Sequence, residues 1–391
     1  MPAHRSTSDV VVVGGGVIGL ALAWRLAQRG LAVTVLERDE PGGGTSRVGA
    51  GMLAPVSEAV FTEQPLLRLG LASARAYPGF VAELEEVTGR DTGYRKSGTL
   101  LAARDADEAE WLARELEMRS SLGLGVARLR ASEARRLEPA LAPALRLALE
   151  IPDDHAVDPR KLTRALGDAL LRAGGELRCH AKVQALSVEH DHVAGVRLET
   201  GEVVGAGHVV VAAGPWSARI GGIPEPDRVP VHPVKGQIMR LHDPSGPGLL
   251  TRILRMRTGY VVPRGDGRYV LGATMEERGF DESVTAGAVY ELLRDAGELL
   301  PGLAELVIDE LAVGFRPGTP DNAPAIGPAS IPGLSWATGH YRHGILLAPV
   351  TAELLGAQLA GEEPAFGELD AAAFAPTRFI PTGSTPITAR A

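Results

Sequence analysis

Apolar residues at the start of the chain follow two different periodicities. Asp9–Val13 is a short β-branched run, which is typical of a buried parallel strand. Val17–Arg29 carries apolar residues at helical spacing and stops at Gly30, and Leu31–Glu37 is a second buried run. The pattern predicts a strand, a turn, a helix and a strand within about thirty residues, the opening of a doubly wound α/β fold.

Further elements follow in the rest of the chain. Helical spacing predicts helices over Asp105–Ser120, Pro159–Ala173 and Gly344–Leu359, and His208–Ala213 is another β-branched run. By contrast, Gly42–Met52 is rich in glycine and small residues, which predicts neither a strand nor a helix.

The middle of the chain, from Val229 to Val313, has a different pattern. Short strand-like segments alternate there with turn signals, and these segments are Gln237–Leu241, Gly259–Pro263 and Tyr269–Gly272. This alternation favours an antiparallel sheet. The predicted fold class is therefore α/β, or α+β overall, with a Rossmann-like dinucleotide-binding domain and a second, mainly antiparallel β-sheet domain.

We predict that both domains are discontinuous and that a tail follows them. The Pro, Thr and Ser content from Pro376 onward is typical of a flexible segment. The dinucleotide-binding domain is predicted to consist of residues 1–89, 154–228 and 315–379. The second domain is predicted to consist of residues 90–153 and 229–314, and the flexible tail of residues 380–391.

The turn after the first strand has the spacing Gly14-x-Gly16-x-x-Gly19. In this motif Gly14 allows the tight turn, Gly16 lets a pyrophosphate approach the backbone, and Gly19 lets the helix pack closely on the strand. The amides of Val17 and Ile18, at the helix N-terminus, face the phosphates with the favourable end of the helix dipole. The context of strand, turn and helix predicts a site for the ADP half of a dinucleotide.

The end of the second predicted strand extends this prediction through Glu37 and its neighbour Arg38. Glu37 can accept hydrogen bonds from both ribose hydroxyls, and Arg38 can cover the adenine. The carboxylate of Glu37 disfavours the 2′-phosphate of NADP, but the motif alone does not separate NAD from FAD.

Composition limits the other kinds of partner. The net charge is −8 at pH 7, which argues against nucleic acid. The single cysteine, Cys179, excludes an internal disulfide and a thiolate-built metal cluster, and we predict no metal site. Glycines interrupt the apolar stretch Val10–Ala23, which disfavours a leader peptide, and no run approaches the roughly 18 apolar residues of a membrane span. We therefore expect a cytoplasmic protein.

The stretch Gly42–Pro55 resembles the flavin-contacting loop of the D-amino-acid-oxidase family of FAD enzymes. Its small residues allow backbone amides to approach a large planar cofactor. The resemblance implies flavin contacts by Thr45, Ser46, Ala50, Gly51 and Met52. It also implies a backbone contact with the adenosine end at Val183, and a second glycine-ended strand over Val209–Trp216 that returns to the cofactor at Gly214.

Two C-terminal motifs, Gly314–Gly327 and Gly339–Pro349, closely resemble the glycine oxidases that serve thiamin biosynthesis. The likeness extends over nearly the whole chain except the tail. Thr319-Pro320-Asp321 matches a motif that follows the flavin-linking cysteine in sarcosine oxidases, but no cysteine precedes it here, so FAD is expected to be non-covalent. The second motif implies that a helix N-terminus points at the flavin, with cofactor contacts by His340, Tyr341, Arg342, His343, Gly344, Ile345 and Leu346.

The same resemblance implies a substrate site. Arg316 matches the family's carboxylate clamp, a role for which a guanidinium is suited because it binds a carboxylate bidentately. Tyr260 matches the phenol that shares the carboxylate, Arg342 can reach the substrate or the flavin, and Met275 would line the pocket. Thr258 stands where a histidine is expected at the pocket rim, which leaves the substrate range open.

The implied activity is oxidative deamination of glycine, and of sarcosine or small D-amino acids, to the imine or glyoxylate, ammonia and hydrogen peroxide. The resemblance implies O2 as the electron acceptor and a thiazole synthase as a partner. It also implies a homo-oligomer, of which a tetramer is one form. Other interpretations of the function stay open at this point. They are a family oxidase or dehydrogenase for sarcosine, D-amino acids or proline, an NAD-dependent dehydrogenase, and a flavin-binding module without turnover.

Overall fold

A computed structural model describes residues 8–366 and 369–380 of the 391-residue chain. Most of its strands belong to two eight-stranded sheets, and one further pair forms a two-stranded sheet. In chain order the strands are β1 Ser8–Val13, β2 Val33–Leu36, β3 Met52–Leu53, β4 Thr99–Ala103, β5 Ala127–Arg130, β6 Leu147–Ile151, β7 His155–Ala156, β8 Glu176–Arg178, β9 Val183–Glu189, β10 His192–Leu198, β11 Val203–Val211, β12 His232–His242, β13 Ile253–Arg255, β14 Tyr260–Pro263, β15 Arg268–Gly272, β16 Val307–Gly318, β17 Ala325–Pro328 and β18 Leu334–Thr338.

The helices connect these strands and cover the sheets. In chain order they are α1 Val17–Gln28, α2 Thr45–Val48, α3 Gln64–Thr88, α4 Ala106–Ser121, α5 Ala131–Leu137, α6 Pro159–Arg172, α7 Ala286–Leu299 and α8 Gly344–Ala360.

The first sheet has a parallel centre, which we call the parallel sheet. Its order is β18-β11-β1-β2-β8, with β17 antiparallel at one edge and β9 and β10 extending from β11. The most central strand, β1, is apolar on both faces, as a strand covered on both sides requires. The predicted strand–turn–helix–strand unit at the N-terminus is confirmed.

The two faces of the parallel sheet are covered differently. Val10 and Val12 pack with α1, α3, α6 and α8, whereas Val11 and Val13 pack with residues of β9 and β10. The doubly wound prediction is therefore wrong for the second face, because an antiparallel extension of the sheet covers it where helices were expected.

The second sheet, which we call the antiparallel sheet, has the order β16-β12-β15-β14-β13-β4-β6-β5 and a single parallel pair, β13 with β4. Side chains alternate between its faces. Val261 packs in the cluster that includes α7, while Tyr260 and Val262 face the loop that holds Ala50. The second face therefore stands opposite the loop that was predicted to contact flavin.

Several sequence predictions need correction. Residues 286–299 form α7, a helix inside the stretch predicted as sheet, and it begins with the Thr285 hydroxyl accepting a hydrogen bond from the Ala288 amide. The stretch Gly42–Met52 is not wholly irregular, since it contains α2 and the start of β3. Pro376–Phe379 forms a short 3₁₀ helix, and residues 381–391 of the predicted tail lie outside the described residues.

One segment, Tyr341–Ala360, is long and apolar enough to cross a membrane by length and composition. The sequence prediction concerned an unbroken apolar run, and this segment is not one because it contains Arg342 and Glu353. In this fold, however, 67% of the segment's most apolar stretch is buried. Its helix α8 packs against α1 and α3, and its apolar surface therefore serves the protein core.

The division into two domains, with the predicted boundaries, stays a prediction. Each large sheet is assembled from separated stretches of chain, and β16 runs across the predicted boundary at residue 315.

Candidate active site

A cavity of about 630 Å³ extends from the ends of β1 and β2 to the face of the antiparallel sheet. Its volume lies within the ordinary range of small-molecule and cofactor sites. The predicted site residues that line it are Gly14, Gly16, Val17, Ile18, Glu37, Arg38, Thr45, Ser46, Ala50, Gly51, Met52, Val183, Gly214, Tyr260, Arg316, His340, Tyr341, Arg342, Gly344 and Ile345. Their assigned roles toward a cofactor or substrate remain predictions.

The glycine turn has the geometry that the motif requires. Gly14 has φ +111°, and a Cβ there would lie 2.6 Å from the Ala212 carbonyl oxygen. A Cβ on Gly19 would lie 2.0 Å from the Gly14 carbonyl oxygen. Gly19 does not line the cavity, and its function is to let α1 approach the turn closely.

Both ends of the turn are held by side chains from elsewhere. The Val17 amide donates to Ser46 Oγ at 3.0 Å, so the loop before β3 is tied to the N-terminus of α1. Glu37 accepts from the amides of Gly15, at 2.7 Å, and Asp39, at 2.9 Å. A carboxylate has about four acceptor positions, so two backbone bonds leave capacity for a ribose.

Aromatic rings and guanidinium groups form a stack at the same end of the cavity. Arg38 lies over Trp216, with 3.7 Å between its Cζ and the ring centroid. Trp216 stacks on Phe280 with 5.5 Å between the ring centroids, and the Cζ of Arg219 lies 3.9 Å from the centroid of Phe280. Sequence reasoning assigned Arg38 to the adenine and did not identify the aromatic partners.

The substrate end of the cavity contains Arg316 and Tyr260. Arg316 Nη1 donates to the Thr274 carbonyl oxygen at 3.0 Å, and its guanidinium lies against Gly236, where a Cβ would stand 2.5 Å from Nη1. Burial raises the pKa of the Tyr260 phenol, while Arg316 acts in the opposite direction. The phenol is thus a neutral hydroxyl donor beside a permanent cation, a pair suited to a carboxylate.

Sequence reasoning missed Glu58, a carboxylate that lines the same cavity with only 12% of its side chain exposed. Burial acts to raise its pKa, but Arg255, His343, Arg342 and Arg316 outweigh that effect, and the pKa is lowered. Glu58 is therefore ionised at neutral pH. It follows the apolar stretch at Met52–Val56 without any motif, so only the fold reveals its place.

Two residues of the C-terminal motif contribute buried nitrogens. Arg342 Nε has no hydrogen-bond partner among the described residues, although the residue lines the cavity. His340 Nε2 lies 3.0 Å from Thr351 Oγ1, and burial lowers the pKa of His340 to about 3. The His340 imidazole is therefore neutral.

The structure places four other predicted residues outside this cavity. Met275 was expected to line it but is 59% exposed, with its sulfur 3.0 Å from the Tyr341 hydroxyl. Thr258 is exposed and donates to Asp295 at 2.7 Å, so the expectation that it stands at the pocket rim is not met. His343 and Leu346 face a second, smaller cavity instead.

Asp154 holds the turn that carries Glu58. Its two carboxylate oxygens accept from the amides of Val56 and Ser57, both at 3.3 Å. Burial raises the pKa of Asp154 to about 6. The pKa of Asp154 in the folded protein thus exceeds the pKa of about 3.9 in the unfolded chain, so the protonated acid stabilises the folded state. This contribution to the free energy of unfolding is lost as the pH rises from about 4 through about 6.

We therefore expect Asp154→Asn to change how stability depends on pH. Relative to this variant, the natural protein should lose up to about 3 kcal/mol of unfolding free energy between pH 4 and pH 7. Urea unfolding of both proteins at these two values measures the difference. Equal pH dependence of both proteins would contradict the assignment.

The arrangement fits FAD. Glycines leave the backbone open beside an α-helix N-terminus, and Glu37 follows the second strand. At the other end, the buried Nε of Arg342 lacks a partner within residues 8–366 and 369–380. Cys179 does not line the cavity, and attachment of FAD without a covalent bond stays a prediction.

Comparisons with known proteins agree with this geometry. The FAD dependent oxidoreductase family model (DAO) matches residues 9–358. The chain is 37% identical to the bifunctional protein ThiO/ThiG of Synechocystis sp., with 98% of this chain and 56% of that protein aligned. It is also 37% identical to glycine oxidase of Geobacillus kaustophilus, with 95% of this chain and 97% of that protein aligned.

Solved structures give the same result. The crystal structure of glycine oxidase from Geobacillus kaustophilus superposes with a TM-score of 0.87 at 36% identity, covering 96% of this chain and all of that one. The chain spans just over half the length of the bifunctional relatives it matches. On the family match and these identities, the chain belongs to the DAO family of FAD-dependent oxidoreductases.

Proposed function

We propose that this protein is an FAD-dependent amino-acid oxidase that converts glycine to its imine, and thence to glyoxylate and ammonia, with O2 reduced to hydrogen peroxide. The observation that carries the proposal is the position of Arg316 and Tyr260 in the cavity that also contains the dinucleotide turn. A relative of nearly equal length that carries the name glycine oxidase supports the choice of substrate.

The side chains bind and orient the substrate. Arg316 and the Tyr260 hydroxyl hold the carboxylate, and Arg342 supplies a second cation at the same end of the cavity. Holding the carboxylate fixes the direction of the Cα–H bonds, and such positioning is a large part of catalysis. Bound FAD would supply a two-electron acceptor for the hydrogen on Cα and would return those electrons to O2.

The cofactor contacts are assigned as part of the proposal. The glycine turn and the N-terminus of α1 hold the pyrophosphate, while Glu37 holds the ribose. Residues of the stretch between β2 and β3 surround the flavin together with His340, Tyr341, Arg342, Gly344 and Ile345. We assign Met275, His343 and Leu346 no direct contact, since none of them lines the cavity.

Peroxide release tests the proposed activity. The purified, FAD-loaded protein should be yellow and should release peroxide with glycine at a higher kcat/KM than with sarcosine, D-alanine or D-proline. A preference for one of the other three would assign it to another oxidase of the family. Peroxide from none of the four would overturn the oxidase proposal.

The biological setting is part of the same proposal. Relatives named as bifunctional ThiO/ThiG proteins support a thiazole synthase as the partner that receives the product, and so a place in thiamin biosynthesis. We further propose a homo-oligomer in the cytoplasm, with residues 1–89, 154–228 and 315–379 forming the FAD-binding domain and 90–153 with 229–314 the substrate domain.

A further inference from the structure

A second cavity lies behind the substrate end of the first. Its volume is about 20 Å³, and its polar lining consists of Glu58, Glu63 and His343. A cavity needs roughly 10–15 Å³ by this measure, and two to four polar partners, to hold one water molecule. This cavity satisfies both conditions.

Glu58 is the residue that joins the two cavities, because it lines both of them. Its Oε2 lies 3.4 Å from Nδ1 of His343, which is itself buried and lines the smaller cavity. Glu63 is half-buried and also lines the smaller cavity, and its Oε1 accepts a hydrogen bond from Asn322 at 3.0 Å. Glu58, His343 and Glu63 therefore share the smaller cavity, with Glu58 also facing the substrate cavity and Glu63 partly exposed to solvent.

His343 is not needed to neutralise Glu58. The carboxylate already has three guanidinium groups around it, those of Arg255, Arg342 and Arg316. Burial lowers the pKa of His343, and Glu58 acts against that effect, so the resting imidazole is neutral and can accept a proton. The titratable and charged groups that act on Glu58, on His343 or on both are Arg255, Arg316, Arg342, Glu63, His340 and Tyr260.

The proposed reaction requires a proton path, and the inference rests on that proposed function. The ammonium group of glycine must lose one proton before a hydride can leave Cα, so an N–H bond breaks and an O–H bond forms on an acceptor. The hydride, one proton and O2 together make H2O2. One proton therefore leaves the substrate cavity in the first half of each turnover and one returns in the second.

We infer that Glu58, His343 and Glu63 form a proton relay between the substrate amine and solvent. Glu58 accepts the ammonium proton and passes it to Nδ1 of His343, and the imidazolium releases a proton into the smaller cavity toward Glu63. The proton consumed in forming peroxide travels the same path inward, which restores the original protonation of each group. Glu58 is the catalytic residue of this relay, and His343 and Glu63 act through it.

The test uses His343→Gln in the FAD-loaded protein, because glutamine keeps a hydrogen-bonding side chain but does not titrate. We expect kcat for glycine to fall about tenfold at pH 7 with KM nearly unchanged, and added imidazole to restore much of the loss. Glu63→Gln should give a smaller loss in the same direction. His208→Gln is the matched control, since His208 is a half-buried histidine whose pKa is also lowered by burial, and it bonds Ser335 away from the cavity.

A second measurement does not depend on turnover. Glu58→Gln should lower the pH at which the His343 imidazole titrates, as followed by NMR of histidine-labelled protein, with the signal assigned by its absence in His343→Gln. A His343 signal that titrates at the same pH in both proteins would show that the two groups are not coupled and would overturn the relay.

The outcomes separate the two proposals. If the natural protein oxidises glycine and His343→Gln matches it in kcat and pH profile, the relay is wrong and the oxidase proposal stands. A loss in His343→Gln that imidazole does not restore, with Glu63→Gln unaffected, would identify a structural role and also overturn the relay. If the natural protein oxidises none of the tested amino acids, the proposed function and the relay that rests on it both fall.

Discussion

Arg316→Ala should lower kcat/KM for glycine by about 10³-fold, chiefly through KM. The guanidinium is the permanent cation beside Tyr260, and removing one partner of a buried, hydrogen-bonded charge pair costs 2–5 kcal/mol, while about 1.4 kcal/mol corresponds to a factor of ten. Steady-state peroxide release as a function of glycine concentration measures the change. Binding of a small carboxylate such as acetate, followed through the flavin absorbance, should weaken in parallel.

The matched control is Arg278→Ala. Arg278 is another arginine near this end of the protein, but its side chain is 62% exposed and its partner, Glu276, is 3.4 Å away. A surface ion pair of this kind contributes little, so its removal should leave KM within a factor of two. An Arg316→Ala protein that binds glycine as tightly as the natural protein would show that another residue holds the carboxylate.

Gly19→Ala should destabilise the protein by at least about 3 kcal/mol and abolish retention of FAD. The added methyl group would lie 2.0 Å from the Gly14 carbonyl oxygen, which belongs to the turn itself, so α1 and the turn cannot both keep their positions. Urea unfolding measures the stability, and the ratio of flavin to protein absorbance after gel filtration measures the retained cofactor.

Gly297→Ala provides the control for a helical glycine. A Cβ at Gly297 in α7 would meet nothing within 4 Å, so alanine there should raise stability by about 0.5–1 kcal/mol through its better helix propensity. Equal effects of the two substitutions would mean that the close approach at Gly19 is not what the motif preserves.

The parts of the fold that the sequence predicted are those with strong local signals. The glycine turn, β1, α1 and β2 depend on residues close together in the chain, and α6 and α8 have caps or clear periodicity. Helix α7 was missed although Ala288, Leu292, Ala296 and Leu299 are buried at helical spacing. The strand-like segments and turn signals that precede that stretch favoured sheet more strongly.

The site residues that sequence reasoning missed or misplaced share one cause. Glu58 has no motif because its role depends on Arg255 and His343, which lie far away in the chain. Thr258 lies two residues before Tyr260, which lines the cavity, yet Thr258 is exposed and bonds Asp295, while Met275 lies beyond the end of β15 and is 59% exposed. A resemblance identifies the strand but does not fix the direction of each side chain.

The order of strands in the parallel sheet has a consequence for synthesis. The central strand β1 is made first, but its neighbour β11 begins at Val203, and β18, which borders β11, ends at Thr338. Pairing between such distant segments is slow because long loops must close first. The nascent chain therefore exposes the edge of β1 that pairs with β11 until Val203–Val211 has left the ribosome, and a fragment that stops before Leu334 should neither complete the sheet nor retain flavin.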